Sequence, residues 1–223
     1  MHLLSSIGKK LIISLSGAFL LIFLALHLVL NLSAVYSEEA YDAVCKFMDG
    51  PFIKPMVPVL ALGFIVHILL ATYFELKNWT ARPREMRYAV ATKTKCSWSA
   101  KNMFVLGIIV LGFLCMHMCH FWAKLQLQHF LGNEPQQTAY QIALALFHNP
   151  VYCLLYAVWI LAIAAHVNHG FWSAFQSLGL NNSNWLPRLQ FLSKIYAIVV
   201  AVGYLIIPVC FWLKTTGSAC CAC

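Results

Sequence analysis

The sequence predicts an all-α membrane protein with five transmembrane helices. Three observations predict it. The 223 residues are 61% hydrophobic and only 10% charged, where soluble domains carry roughly 25% charged residues. The mean hydropathy of +0.76 is more apolar than a soluble core requires. The apolar residues also gather into five runs, at about 11–32, 53–74, 102–122, 142–172 and 189–213, each long enough to cross hydrocarbon at about 1.5 Å per residue. On this reading residues 1–223 form a single integral membrane domain.

The first run, from Leu11, follows a short polar start with Lys9 and Lys10. It is too long for a signal-peptide core, so no cleavable leader is expected. The segment after it carries Glu38, Glu39, Asp42 and Asp49, and the spacing of Tyr41, Val44, Cys45 and Met48 predicts a short amphipathic surface helix. Pro51, Pro55 and Pro58 mark the start of the second run, where a missing N–H matters least. The loop from Glu75 to Lys101 is the most basic stretch. The third run ends near Trp122. In the fourth, Asn149-Pro150 predicts a break that sets a short element apart. The fifth run holds no histidine, and Pro208 predicts a kink in it.

The net charge of +8 does not indicate a nucleic-acid partner, because the basic residues lie in loops beside apolar runs. There they orient helices. Eleven fall on the side of the N-terminus and four (Lys46, Lys54, Lys124, Lys214) on the other. The positive-inside rule therefore puts the N-terminus in the cytoplasm and the C-terminus outside. The nine cysteines do not read as a disulfide framework. Cys115 and Cys119, one turn apart, read as packing residues, and Cys220, Cys221 and Cys223 form a tail of no evident role.

Four runs each contain a histidine: His27, His67, His117 and His166. An imidazole in hydrocarbon is costly without a partner, so each marks a site. Depth selects the pairs. His27 lies seventeen positions after Lys10 and His117 sixteen after Lys101, both on rising helices, so both sit about 25 Å from the cytoplasmic ends. His67 lies ten before Lys77 and His166 ten before Gln176 on descending helices, about 15 Å from those ends. The expected pairs are His27–His117, outer, and His67–His166, inner. His120 and His169, each three residues further on, are the alternate ligands. His2, His129 and His148 fall near segment ends.

Two imidazoles on one metal leave no open position, which suits electron transfer, and haem b is the expected cofactor at both centres. No CxxCH motif occurs, which excludes covalent attachment of the c type. The first four helices would then bundle around two b haems. Gly17 and Gly107, each ten before an outer histidine, are expected to make room for the outer macrocycle, and Gly63 to do likewise at His67. Each imidazole is expected to donate its other N–H to the carbonyl one turn earlier. Arg84, Arg87, Lys93 and Lys101 are candidates to pair with propionates.

With these residues in place, the chain resembles the single-polypeptide, di-haem, five-helix cytochrome b membrane subunit of succinate dehydrogenases and quinol:fumarate reductases. The resemblance spans nearly the whole chain. It is carried by SGAFLLIFLALH ending at His27, by residues 51–67, by ARPREMRY from Ala81, by KNMFVLGIIVLGFLCMHMCHFWAK from Lys101 and by HVNHGFWSAFQSLGLNN from His166.

The resemblance implies ligands from the first four helices in the pairing that depth gave. The inner, proximal haem is held by His67 and His166, and the outer, distal one by His27 and His117. It implies a bacterial cytoplasmic (inner) membrane and two soluble partners on the cytoplasmic side: an FAD-containing dicarboxylate subunit and an iron–sulfur subunit. The loops at 75–101 and 177–187 would dock them. The heterotrimer could pair as a homodimer. It also implies a quinone, menaquinone for preference, which needs an apolar slot with a few proton-exchanging groups. Glu39, Asp42, Asp49, His120, Trp122 and Lys124 are the candidates, near the distal haem. Some family members carry an acidic residue two before the fourth ligand; Ala164 stands there in this chain, which speaks against a proton pathway at that point. Dicarboxylate chemistry would belong to the soluble subunits.

Two other functions fit parts of the pattern. One is the di-haem quinone-reactive anchor of a hydrogenase or formate dehydrogenase, against which the ARPREMRY and HGFWSAFQSLGLNN stretches argue. The other is a haem-free transporter or scaffold. Transporters usually keep ion-coupling carboxylates within their spans, and the apolar runs here hold almost none.

Overall fold

The first helix, α1, runs from Ser6 to Tyr36, longer at both ends than its apolar core. Its interior serines do not interrupt it. Ser14 donates to Lys10 O (2.9 Å), Ser16 to Ile13 O (2.9 Å) and Ser33 to Leu30 O (2.6 Å), so each hydroxyl is satisfied within the helix, as hydrocarbon requires. One residue later α2 (Glu38–Met48) folds back as the amphipathic helix its spacing predicts. Ser37 caps it, accepting from Ala40 N at 3.1 Å. Glu38 and Glu39 lie in its first turn and Lys46 in its last, each sign favoured by the helix dipole.

The computed structural model describes residues 6–51, 53–81 and 98–220. Among these residues every regular element is a helix. After α2 come α3 (Met56–Ala81), the single turn α4 (Trp98–Lys101), α5 (Met103–His117) continued by a π turn (Met118–Trp122), α6 (Gln126–Phe130), α7 (Ala139–Phe147), α8 (Pro150–Ser177) and α9 (Trp185–Cys220). Five of these are long and apolar enough to cross a membrane: α1, α3, α5 with its π turn, α8 and α9. The chain is a multi-pass membrane protein. The helices overrun the apolar runs because backbone hydrogen bonding continues past the hydrocarbon. α9 alone has 36 residues, about 54 Å against a hydrocarbon layer of about 30 Å.

Local chemistry fixes the boundaries. The second span starts at Met56 rather than near residue 53, because Ile53–Pro55 is a turn and Pro58 takes the first turn of α3. The break expected at Asn149-Pro150 is present. α7 opens with a Thr138–Gln141 capping box. Asn149 then caps α8, accepting from Val151 N at 2.9 Å, with Pro150 at its first position. Gly179 (φ 100°) turns the chain between α8 and α9, and Asn182 Oδ1 accepts from Trp185 N at 2.8 Å to start α9. α9 remains one helix through Pro208.

Packing is closest where side chains are smallest. A Cβ on Gly203 of α9 would lie 2.8 Å from Leu28 of α1, and one on Gly63 of α3 would lie 2.7 Å from Phe19 of α1. α9 is further tied to α1 by Tyr196, which donates to Leu21 O at 2.6 Å, and Tyr204, which donates to Leu24 O at 2.9 Å. The fifth span, which holds no histidine, is thus packed on the first and, most extensively, on the fourth. At the end that carries α2 and α7, Ala34, Tyr140, Ala143, Phe147, Tyr156, Ile160 and Phe211 form a buried apolar cluster to which α7 contributes three residues and against which Tyr41 of α2 packs. Large apolar side chains elsewhere, such as Ile22, Leu62, Leu69, Ile108, Leu154, Leu161 and Ile198, are exposed, as lipid-facing positions are.

Candidate metal centres

The structure brings His27 of α1 and His117 of α5 together. Their ring centroids lie 5.9 Å apart with the planes at 88°. Each imidazole rests on an aromatic residue one turn earlier: His27 stacks on Phe23 at 5.2 Å and His117 on Phe113 at 5.8 Å. Phe121 covers His117 from the other side at 5.1 Å, and Tyr204 of α9 lies 6.2 Å from His27. These contacts restrict both rings to orientations that face each other.

The second pair lies one level away. His166 of α8 lies within electrostatic reach of His67 of α3. A Cβ on Gly17 of α1 would be 3.5 Å from His67 Cε1, and one on Gly107 of α5 would be 3.7 Å from His166 Cε1. This corrects the expectation that Gly17 and Gly107 flank the outer pair. Ten residues of helix are about 15 Å, so each glycine sits a full level below the histidine of its own helix, beside the histidine of a neighbouring one. Gly63 faces Phe19 and serves helix packing rather than His67.

The second ring nitrogens also depart from expectation. The carbonyl one turn earlier is not the partner of His27 Nδ1, which lies 3.2 Å from Asn31 Nδ2, one turn later. His67 Nδ1 lies 3.4 Å from Ser16 Oγ of α1. That hydroxyl gives its proton to Ile13 O, so it accepts from the imidazole, which places the proton on Nδ1 and leaves the Nε2 lone pair free. His117 Nδ1 and His166 Nδ1 are buried with no hydrogen-bond partner among the described residues, and so is His169 Nδ1. Leaving such an atom unmet costs roughly 1–3 kcal/mol.

These residues fit a haem. Among the described residues no three of His, Cys, Asp and Glu converge into a cage for a bare metal ion; the histidines meet in twos. Two axial imidazoles suit a metal whose macrocycle brings its other four nitrogens. Each pair includes one imidazole with an orphaned buried nitrogen, and the inner pair is flanked by two residues without side chains.

The alternates have other neighbours as well. His120 sits in the π turn that directly follows His117. Its Nδ1 is 3.0 Å from Tyr156 Oη, and its ring packs edge-on against Tyr152 at 5.3 Å. His169 packs against Trp172 at 4.7 Å. Of the other predicted residues, Asp49 accepts from Gln126 Nε2 at 3.0 Å, Trp122 lies 6.5 Å from Phe130, Asp42 is half-buried, and Glu39 and Lys124 are exposed. The Glu39 carboxyl is held below its ordinary pKa by its own backbone N–H and then by Ser37. Burial, then the Asp42 and Asp49 charges, push the Cys45 thiol up to about 11. Lys101 is exposed at the end of α4; Arg84, Arg87 and Lys93, and the ARPREMRY stretch after Ala81, lie outside the described residues. Residues without a predicted role that touch the histidines include Ser16, Asn31, Tyr156 and Tyr204.

The fold and these contacts define a class: an all-helical, multi-pass membrane protein with two levels of paired histidines between its helices. Over 186 residues the chain is 26% identical to the succinate dehydrogenase cytochrome b558 subunit of Bacillus subtilis (strain 168), covering 82% of this chain and 83% of that protein. The resemblance to cytochrome b membrane subunits of succinate dehydrogenases, read from the motifs, is borne out by this relative. No family profile matches the chain, and no solved structure does.

Proposed function

We propose that the chain is the di-haem cytochrome b membrane anchor of a succinate:quinone oxidoreductase or quinol:fumarate reductase. It passes electrons between quinone and an iron–sulfur subunit and holds that subunit and a flavoprotein on the cytoplasmic side of a bacterial inner membrane. The observation that carries this reading is the meeting of His27 with His117 at 5.9 Å, one helical level above the glycines that touch His67 and His166. The relative's name supports it.

His27 and His117 hold the distal haem, and His67 and His166 the proximal one. Haem b held by two imidazoles supplies one-electron exchange with no position open to oxygen. The chain's own residues do the rest. Phe23 and Phe113 fix the outer imidazoles by stacking. Ser16 keeps the proton of His67 on Nδ1. Gly17 and Gly107 leave the space beside the inner pair clear.

The quinone, menaquinone for preference, is placed near the outer centre, among Asp42, Asp49, His120, Trp122 and Lys124, with Glu39 at its edge. Glu39 is a poor proton donor, being exposed and held ionised. His120, paired with Tyr156 on a π turn, is the better one, since such turns frequently mark functional sites. His120→Gln should lower quinol turnover about 100-fold, in the range of one lost proton-transfer group, with both haems retained; Glu39→Gln should leave turnover within about twofold. Unchanged turnover in His120→Gln, Asp42→Asn and Asp49→Asn alike would move the site elsewhere.

Purification from the native membrane tests the assignment as a whole. A covalently or tightly bound flavin and iron–sulfur clusters should accompany the chain, with succinate- or fumarate-linked quinone chemistry. A nickel or molybdenum subunit in their place would make it the anchor of a hydrogenase or formate dehydrogenase.

A further inference from the structure

His120 lies between two tyrosines of α8. Its ring packs edge-on against Tyr152 at 5.3 Å and stacks on Tyr156 at 6.0 Å, with the planes at 21°. The π turn that presents it is closed by Ala123 N, which donates to Met118 O at 2.8 Å, five residues back. Tyr156 is fixed in its turn. It is 5% exposed, and Phe113 and Phe147 meet its ring edge-on at 5.3 and 5.1 Å. Its hydroxyl lies 3.0 Å from His120 Nδ1, its one hydrogen-bond partner among the described residues. The direction of this bond follows from the donors present. Were Nδ1–H the donor, the phenolic proton would be left buried and unmet, which is costly. With Tyr156 as donor both groups are satisfied: Nδ1 accepts, and the proton of the neutral imidazole is on Nε2. That tautomer has no lone pair at Nε2 to give a metal, and it presents an N–H on the side of the ring away from Tyr156. His120 is only half-buried, and its Nε2, unlike Nδ1 of His117, His166 and His169, is not a buried nitrogen without a partner.

We propose that Tyr156 is a positioning residue of the quinone site: by donating to His120 Nδ1 from a fixed ring, it holds the imidazole with Nε2–H turned out as the hydrogen-bond donor to a quinone oxygen. This rests on the reading of His120 as a residue of that site. Tyr156 does not itself touch quinone; it acts through His120. A quinone oxygen accepts and has no proton to give, so the tautomer with Nε2–H binds it and the one with a bare Nε2 repels it. Phe113 joins this arrangement to the outer histidine pair, since it stacks on His117 at 5.8 Å and meets Tyr156 on its other flank at 5.3 Å. One aromatic side chain therefore separates the residue that sets His120 from a ligand of the proposed outer haem.

The test is steady-state reduction of a short-chain benzoquinone by the whole complex, with haem content and the outer haem potential measured on the same samples. Y156F keeps the ring in its packing and removes only the proton donor. It should raise KM for the quinone about tenfold, the size of one lost orienting hydrogen bond, with kcat within about threefold and the outer potential unmoved. A role in packing alone would leave KM at the wild-type value, because the ring is still there. H120Q removes the group through which Tyr156 acts, so H120Q and the double variant H120Q/Y156F should have the same kcat/KM. A wild-type KM in Y156F, beside lowered turnover in H120Q, overturns this inference and leaves the proposed function standing. So do losses that multiply in the double variant, and so does a shifted outer potential in Y156F, which would make Tyr156 a packing residue of His117. Wild-type turnover in H120Q would overturn the inference together with the quinone site on which it rests.

Discussion

Replacing His27 or His117 by alanine should remove one of the two proposed b haems and leave the other. The two residues sit on different helices, α1 and α5, and meet only through their rings. Neither is part of the close helix packing at Gly63 or Gly203, so truncation leaves the bundle standing. Loss of one of two axial imidazoles removes half of the protein's bonds to the metal, and occupancy of that centre should fall at least about 100-fold, at or beyond what loss of a supporting residue costs. Haem content then drops from two per chain to one, and the wave that survives in a redox titration is that of the inner centre. His67→Ala and His166→Ala give the converse. His169→Ala retains both, because His169 packs on Trp172 while His166 faces the glycine of α5. Loss of the inner haem in His169→Ala, with retention in His166→Ala, would make His169 the ligand.

Gly17→Leu should remove the proposed inner haem and spare the outer one, although Gly17 shares its helix with the proposed outer ligand His27. The position of a Cβ on Gly17 is 3.5 Å from His67 Cε1, an ordinary contact. Gly17→Ala is therefore tolerated, with both haems kept. The three further carbons of leucine would crowd the imidazole of His67 and fill the clear space beside the inner pair, and overpacking of this kind typically costs about 1–3 kcal/mol even where side chains can shift. Gly107→Leu acts in the same way through His166, at 3.7 Å. The measurement is haem stoichiometry with assignment of the remaining wave. Loss of the outer haem in Gly17→Leu would mean that the glycine serves His27, as its position along the chain first suggests.

That contrast shows what was legible in the sequence. Histidine depth could be counted, since basic residues mark the helix ends and each residue adds about 1.5 Å. The count placed His27 and His117 at one level, where their rings meet. The glycines were assigned by proximity along the chain, but proximity across the bundle decides what they touch, and that depends on helix pairing that the spacing does not encode. The break at Asn149-Pro150 was legible because both residues act locally, as cap and first helical residue. The π turn at Met118–Trp122 has no residue signature, so the contact of His120 with Tyr156, 36 positions away, could not be read. Asn31 was within reach of sequence reasoning: it stands one turn after His27, on the same face.

The central claim is that four histidines hold two haems. A reduced-minus-oxidised spectrum of the purified complex, with haem-to-protein stoichiometry by pyridine haemochrome, tests it most directly. The account predicts two b haems per chain, both low-spin and both unreactive to carbon monoxide, as bis-histidine ligation requires. One haem would mean that one of the two pairs does not bind metal. No haem would contradict the account and leave a haem-free transporter or scaffold as the reading of this bundle.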